Sequence, residues 1–543
     1  MLSLSLGCSR HARLAMALLA CLGGNRAFAD ENGLPEPVPG LFGPRFHAAM
    51  LETRPSTSVV LNEPIEAEDP DADSAESGLV ESDAHSQSSD VMLSQDDMVP
   101  SEEYEKLLER VGDLESSWQK HQEKLEEESV AKKKKPTMKI NGRVHLDNWN
   151  FLDSDPGVNY LESGNPAVNP QDRWDFRRLR LSFSGEVPHN MLYRIQVDFN
   201  NPNSPELKDA YLGWNNLPNN QTLLLGNQKR PIGLDHLNSS RHNLFIERPL
   251  AVEAFNEDAR RLGLCMYGFT DDEMINWRYG AFLLENISND GRYRGDSTEA
   301  GLYGRLAASP WYDETSGGRG YWHCAVAGSA NHTDGDGTID TDSNHNEARF
   351  RTRPEARSSS RWWDTGRILG AEGYQQLAFE SMLNIGAFQL TGEYINTWMQ
   401  RDPLGGFNGS GLHFHGGYLF ANYFLTGEHV PLDRVSGTID RVKPFENFFL
   451  VERLSGGRGN GWGALSMGLR GDYLDLSDSD IRGGQGYTVT AGMNWYWTAY
   501  SKVQMNYIAG SIEDAGQGQA AGPLPAGVGG DFTILGFRYM IDF

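Results

Sequence analysis

The closing stretch of the chain, Thr533 to Phe543, limits the possible folds more than any other segment. Leu535, Phe537, Tyr539, Ile541 and Phe543 share one parity, Gly536, Arg538 and Asp542 the other, and Met540 is the exception. Strand side chains alternate with period two, so the segment has one apolar, aromatic face and one wet face. Two folds close on such a strand. In a soluble sandwich the wet face meets solvent. In a membrane barrel the apolar face meets lipid and the wet face lines an aqueous lumen.

Recurrence of the pattern favours the barrel. Ile140, Gly142, Val144 and Leu146 alternate with Lys139, Asn141, Arg143, His145 and Asp147. Leu179, Leu181 and Phe183 alternate with Arg178, Arg180 and Ser182, and Tyr193, Ile195 and Val197 with Arg194, Gln196 and Asp198. About sixteen such segments, many roughly ten residues long, begin near 138, 175, 191, 207, 221, 259, 275, 300, 321, 371, 385, 412, 462, 485, 500 and 531. Connections after even-numbered segments are short, as at Val187-Pro-His-Asn190 and Thr498-Ala-Tyr500. Those after odd-numbered segments are mostly longer, including 151–174, 230–258 and 510–530. Residues 332–370 and 425–461 fit this alternation poorly, and the second falls on the short-turn side. Mean hydropathy is −0.52, and no window after the N-terminus offers a membrane helix. A barrel tolerates this because only alternate residues face lipid. The 60 glycines, 20 tyrosines, 24 phenylalanines and 13 tryptophans suit tight turns and aromatic girdles.

The expected fold is therefore all-β: an antiparallel transmembrane barrel over 138–543, preceded by other segments. Residues 1–29 read as an export signal, with Arg10 and Arg13 before an apolar run and Ala27-Phe-Ala29 as cleavage site. Lipid attachment at Cys21 is the rival processing. Residues 30–100 are rich in Asp, Glu, Ser and Pro and are expected to be disordered. Over 101–130, Tyr104, Leu107, Val111, Leu114, Trp118, His121 and Leu125 form an a/d seam. It predicts a short coiled-coil helix, with a lone amphipathic helix as the alternative. Residues 131–137, with Lys132 to Lys135, form a basic linker, solvated or resting on lipid headgroups. The only cysteines outside the signal, Cys265 and Cys324, fall in separate strands and read as free. The net charge of −26 argues against nucleic acid as a partner.

Several stretches resemble the phosphate-selective porin O and P family. They are Asp175-Phe-Arg-Arg-Leu-Arg-Leu-Ser-Phe-Ser-Gly185, Leu207-Lys-Asp-Ala-Tyr-Leu-Gly213 and Leu224-Leu-Gly-Asn-Gln-Lys-Arg-Pro-Ile-Gly233. Phe245-Ile-Glu-Arg-Pro249, Arg260-Arg-Leu-Gly263 and the run Gly416 to Glu428 are similar too. The resemblance implies a homotrimeric outer-membrane barrel for passive diffusion of small anions, with phosphate or polyphosphate as the expected solute. It also implies that the connection Pro231 to Asp258 folds inward as the constriction. The alternatives are a general or cation-preferring porin and a mainly structural barrel that tethers the envelope. The tail and helix would lie in the periplasm, where a cell-wall contact is open to them.

Anion selection needs fixed cations at a narrow point, and Arg suits phosphate because its planar fork stays charged and binds two oxygens. Inward parity and closeness to the constriction loop select Arg178, Arg180, Arg194, Arg230 and Arg261. Lys229 stands at a strand end, and the loop itself adds Arg241, His242 and Arg248. Glu247, Glu253 and Glu257 lie nearby and would weaken the anion field. Asp334-Gly-Asp-Gly-Thr-Ile-Asp-Thr-Asp342 spaces acids like a calcium loop but lacks its downstream glycine and glutamate, so it reads as an exposed acidic loop. No catalytic motif, cofactor or metal site is called for.

Overall fold

The computed structural model describes residues 101–543 except 134, 189, 258, 289–290, 293–297, 334–347, 403–410, 450, 453–455 and 517–527. The signal, the acidic segment and the calcium-like run at 334–342 lie outside the described residues. Helix α1 is Ser101–Lys133, and Val111, Leu114 and Trp118 of its seam are exposed on it. Among the described residues no helix is long and apolar enough to cross a membrane.

Sixteen antiparallel strands close into one barrel. They are β1 Lys139–Ser154, β2 Arg173–Val187, β3 Met191–Asp198, β4 Glu206–Leu217, β5 Gln221–Lys229, β6 Arg260–Phe269, β7 Ile275–Leu283 and β8 Ala300–Tyr312. The second half comprises β9 Gly320–His332, β10 Ala371–Ile385, β11 Phe388–Arg401, β12 Leu412–Phe424, β13 Ala464–Asp478, β14 Ile481–Thr498, β15 Ser501–Ala515 and β16 Val528–Asp542. Every strand starts within a few residues of its expected position, because the signal read from the sequence is the alternation that the barrel wall itself requires.

The closing strand behaves as its parity dictates. In β16, Tyr539, Ile541 and the terminal Phe543 are exposed on the outer wall, while Arg538 and Asp542 are buried on the lumen side. Strand β16 pairs with β1, Arg143 opposite Asp542 and Asp147 opposite Arg538. Phe543 then extends the ladder, exchanging hydrogen bonds with Gly142 (2.9 and 3.1 Å). A Cβ on Gly142 would lie 2.2 Å from the Phe543 ring, so glycine there leaves room for the terminal aromatic at the seam.

Turns after β2, β4, β10 and β14 are short, and the connections after β1, β5 and β9 are long. Two connections depart from the rule. The one after β13 is a two-residue turn at 479–480, and the one after β12, 425–463, is long although it leaves the short-turn end. The segment 333–370 follows β9 and so lies on the long-loop side, as its place after the ninth segment implied.

A barrel of this strand number encloses a wide lumen. Here the hydrophobic core sits inside it, because three connections fold inward. From 230–259 come Ile232, Leu234, Phe245, Leu250 and Phe255, all buried. From 348–370 come Phe350, Trp362 and Trp363, and from 425–463 Val430, Leu432 and Ile439. Only the first of these was expected to enter.

Candidate functional site: a basic constriction

The first inward loop carries two short helices, α3 Leu234–Leu237 and α4 Leu250–Phe255. It is fixed to the wall by polar groups rather than by apolar packing alone. Glu393 of β11 accepts the N–H groups of Leu234 (2.8 Å) and Asp235 (2.6 Å) and the hydroxyl of Tyr418 (2.5 Å). Lys229 donates to the carbonyls of Leu237 and Asn238, and Arg248 to those of Asp235 and Asn238. Arg241 forms an ion pair with Asp542 at 3.3 Å.

Facing this loop is the wall built from β16, β1 and β2. The β1–β2 register pairs His145 with Arg178 and Leu146 with Phe176, so Arg177 is an extra residue on β2. Such a bulge lets two successive side chains turn to the same face. Trp174, Phe176 and Leu179 are exposed on the outer wall. Arg177 instead reaches Glu247 of the loop through two hydrogen bonds (2.7 and 3.1 Å), and Arg178 beside it is buried. Arg538 binds Asp147 (2.7 and 2.6 Å) and Glu247 (2.6 Å). Burial alone would raise the Glu247 carboxyl, but Arg177, Arg538 and Arg178 outweigh it and hold Glu247 well below the usual carboxylate range. Arg178 Nε and Nη1 find no acceptor among the described residues, and neither do the two ring nitrogens of fully buried His145. Buried donors without acceptors are costly unless something binds there.

The second inward loop supplies more cations. Between 349 and 367 it holds six arginines against two acids, Glu355 and Asp364. Arg349 is bound to Asp364 (2.9 and 2.6 Å), while Arg351 (2.7 Å) and Arg361 pair with Glu257. Arg353 donates to the Ser358 carbonyl at 2.9 Å. Arg357 donates no hydrogen bond among the described residues, and its strongest electrostatic neighbour is Arg177. That neighbour and burial outweigh Glu247, Glu253 and Asp175 and pull Arg357 down, and burial with Arg357, Arg361 and Arg177 outweighs Glu253 and pulls Arg353 down to about 9. A guanidinium keeps its proton in proteins, so crowding of this kind is relieved by an anion. Arg177, with Arg178 beside it on β2, and Arg353 and Arg357 of the second loop thus form a basic cluster, the candidate constriction.

The residues expected from the sequence divide into three groups. Arg178 and Arg180 stand on the constriction wall, Arg180 bound to Asp198 at 2.7 Å. Arg194 pairs with Asp209 at 3.4 Å, farther toward the short-turn end. Lys229, Arg230, Arg241, Arg248 and Arg261 are engaged in holding the loop and strand ends; Arg230 binds Tyr303 and the Glu257 carbonyl, and Arg261 the Leu284 carbonyl. His242 is bonded to the Ile439 carbonyl at 3.1 Å. Of the three nearby acids, Glu247 and Glu257 are both paired with arginines. Parity missed Arg177 because of the bulge, and it missed Arg353 and Arg357 because they lie on a connection. The signals were present: the apolar parity switches between Phe176 and Leu179, and the arginine density of 349–367 is visible in the sequence.

The third inward loop enters from the short-turn end on the opposite side of the lumen. Fully buried Arg305 binds Glu380 (2.9 and 2.8 Å) and donates to the carbonyls of Ser436 and Gly437. Tyr321 donates to the Val430 carbonyl at 2.9 Å, and Arg441 pairs with Asp542. The segment thus crosses from β8–β10 to β16.

The sequence profile of the phosphate-selective porin O and P family matches residues 139–542, the whole barrel. The chain belongs to that family. It is an outer-membrane porin, a channel protein. A Caulobacter vibrioides protein described only as uncharacterized is 26% identical over 377 residues, 68% of each chain. Among solved structures, the trimer form of OmpT from Vibrio cholerae shares 10% identity at TM-score 0.44, covering 75% of this porin and 100% of that chain. The anion-selective porin of Comamonas acidovorans shares 11% at TM-score 0.43, covering 75% and 99%.

Proposed function

We propose that this porin is a passive channel for small anions, with phosphate or polyphosphate as the preferred solute. One observation carries the reading. Arg177, next to Arg178 on β2, is an electrostatic neighbour of both Arg353 and Arg357. Among the described residues the guanidinium of Arg178 has N–H groups without an acceptor, and Arg357 donates no hydrogen bond. Fixed cations in a narrow, water-filled passage with low-dielectric walls raise the local anion concentration, and guanidinium forks fit phosphate oxygens. The family name points to the same solute. The channel needs no cofactor and no catalytic group for this. Planar-bilayer recording of the wild type in a salt gradient, with phosphate added as a blocker of chloride current, tests it. Anion preference with phosphate block is expected; cation preference or indifference to phosphate would overturn it.

The long loops then face outward, and both termini of the barrel chain lie on the periplasmic side with α1 and the preceding tail. Homotrimers are expected from the family. The exposed seam residues Val111, Leu114 and Trp118 give three copies of α1 a second contact as a coiled coil. The same exposed seam is what favours an envelope-tethering role as the alternative.

A further inference from the structure

We infer that Glu162, on the first long loop, is a positioning residue for anion selection: it holds Arg357 in the constriction although it lies far from that arginine in sequence. The inference rests on the anion-channel reading and deepens it.

Glu162 belongs to helix α2, Pro156–Ser163, which packs on β16 at the long-loop end. Its side chain is 5% exposed. The carboxylate accepts the backbone N–H of Ser359 (2.7 Å) and of Ser360 (3.2 Å), the indole N–H of Trp362 (2.9 Å) and the guanidinium of Arg173 (3.2 Å). The Ser360 hydroxyl donates to the Glu162 backbone carbonyl at 2.9 Å. Four donors on one buried carboxylate use most of its acceptor capacity. None of them is needed to close the barrel, since only Arg173 lies in its wall.

What these bonds fix is the stretch that follows Arg357. The stretch before it is fixed from another direction. Glu355 is buried, accepts the hydroxyls of Thr488 (2.6 Å) and Thr490 (2.8 Å) on β14, and pairs with Arg470 on β13. Its φ is +55°, a left-handed conformation unusual for glutamate and held here by those contacts. Ala356, Arg357 and Ser358 therefore span the gap between two carboxylate anchors on different parts of the wall. A loop guanidinium without a protein acceptor would otherwise move away from Arg177, because like charges repel. The anchors oppose that displacement before any anion arrives, so less ordering remains to be done on binding.

The test uses the full-length porin in planar bilayers, with inorganic phosphate as the blocker of chloride current. Arg177→Ala, Arg357→Ala, Glu162→Ala, Glu162→Gln and the double variant Glu162→Ala/Arg357→Ala are compared, and resistance of the barrel to heat in detergent is checked for each. Glu162→Ala is expected to weaken phosphate block about tenfold, equivalent to about 1.4 kcal/mol, with chloride conductance little changed. Glu162→Gln, which keeps one acceptor oxygen and the side-chain size, is expected to fall between it and wild type, and it decides the matter if the alanine variant does not fold. The double variant should bind phosphate no worse than Arg357→Ala alone, since residues acting through one another are not additive. A general structural role would give additive losses, and that result overturns the inference. So does unchanged block in Glu162→Ala or, where that does not fold, in Glu162→Gln, provided Arg357→Ala weakens it. If neither Arg177→Ala nor Arg357→Ala alters block, the anion-channel reading itself fails, separately from the role of Glu162.

Discussion

Arg177→Ala and Arg357→Ala remove the same formal charge from the constriction but leave different groups behind. Arg357 donates no hydrogen bond among the described residues, so its loss subtracts one cation and strands no partner. Arg177 binds Glu247 through both of its hydrogen bonds (2.7 and 3.1 Å). Without it, Glu247 keeps one side-chain hydrogen-bond partner, Arg538 at 2.6 Å, which Asp147 already shares, and the more distant field of Arg178. An anion would then lose one attraction and meet one under-compensated carboxylate. A unit charge at contact distance is worth about 1 kcal/mol in water and about 4 kcal/mol at a protein surface. A wet constriction belongs nearer the lower figure, about 1–2 kcal/mol, or roughly five- to thirty-fold in binding. Arg357→Ala should fall within that range. Arg177→Ala should exceed it, because the exposed carboxylate contributes a second term of the same sign. Phosphate block of single-channel chloride current, measured at several voltages, gives both numbers. Equal effects, or a larger effect for Arg357→Ala, would refute the assignment of Glu247 as the partially neutralising acid.

Arg305→Ala should free the third inward loop, since it removes the donors to Ser436 and Gly437 and leaves Glu380 buried with only His323 beside it, at 3.7 Å. Breaking such a pair costs about 3–5 kcal/mol, and faster proteolysis within 430–442 in detergent-solubilised porin would report it. Replacing 430–441 by a short Gly-Ser linker should raise chloride conductance if the segment obstructs the lumen, and an unchanged conductance contradicts that. Deleting 30–135 should leave a heat-resistant β-rich barrel with nearly unchanged selectivity, because tail charges are screened over about 8–10 Å; circular dichroism and reversal potentials check both halves. Gly142→Val should impair folding at the seam occupied by Phe543, seen as loss of the heat-modifiable band.

The wall was legible in the sequence because its signal is local: every strand repeats outward apolar and inward polar residues, and neighbouring strands need no long-range information. The constriction was legible only in part. Arg178 and Arg180 follow the alternation, whereas Arg177 breaks it at a bulge that shows only as a change of apolar parity from Phe176 to Leu179. Inward loops have no periodicity, so Arg353 and Arg357 could be suspected from arginine density but not placed. Val430, Leu432 and Ile439 were an apolar hint in a connection that should have been a short turn. The bonds from Ser359, Ser360 and Trp362 to Glu162 carried no sequence signal, because nothing in either segment names its distant partner.

The most direct test of the central claim is the reversal potential of the wild-type porin across a potassium chloride gradient, repeated with Arg177, Arg178 and Arg357 jointly replaced by alanine. The basic constriction predicts chloride preference in the wild type and a marked fall in the triple variant. A wild-type channel that prefers potassium, and whose preference is reversed by neutralising Glu247, Glu253 and Glu257, would contradict it.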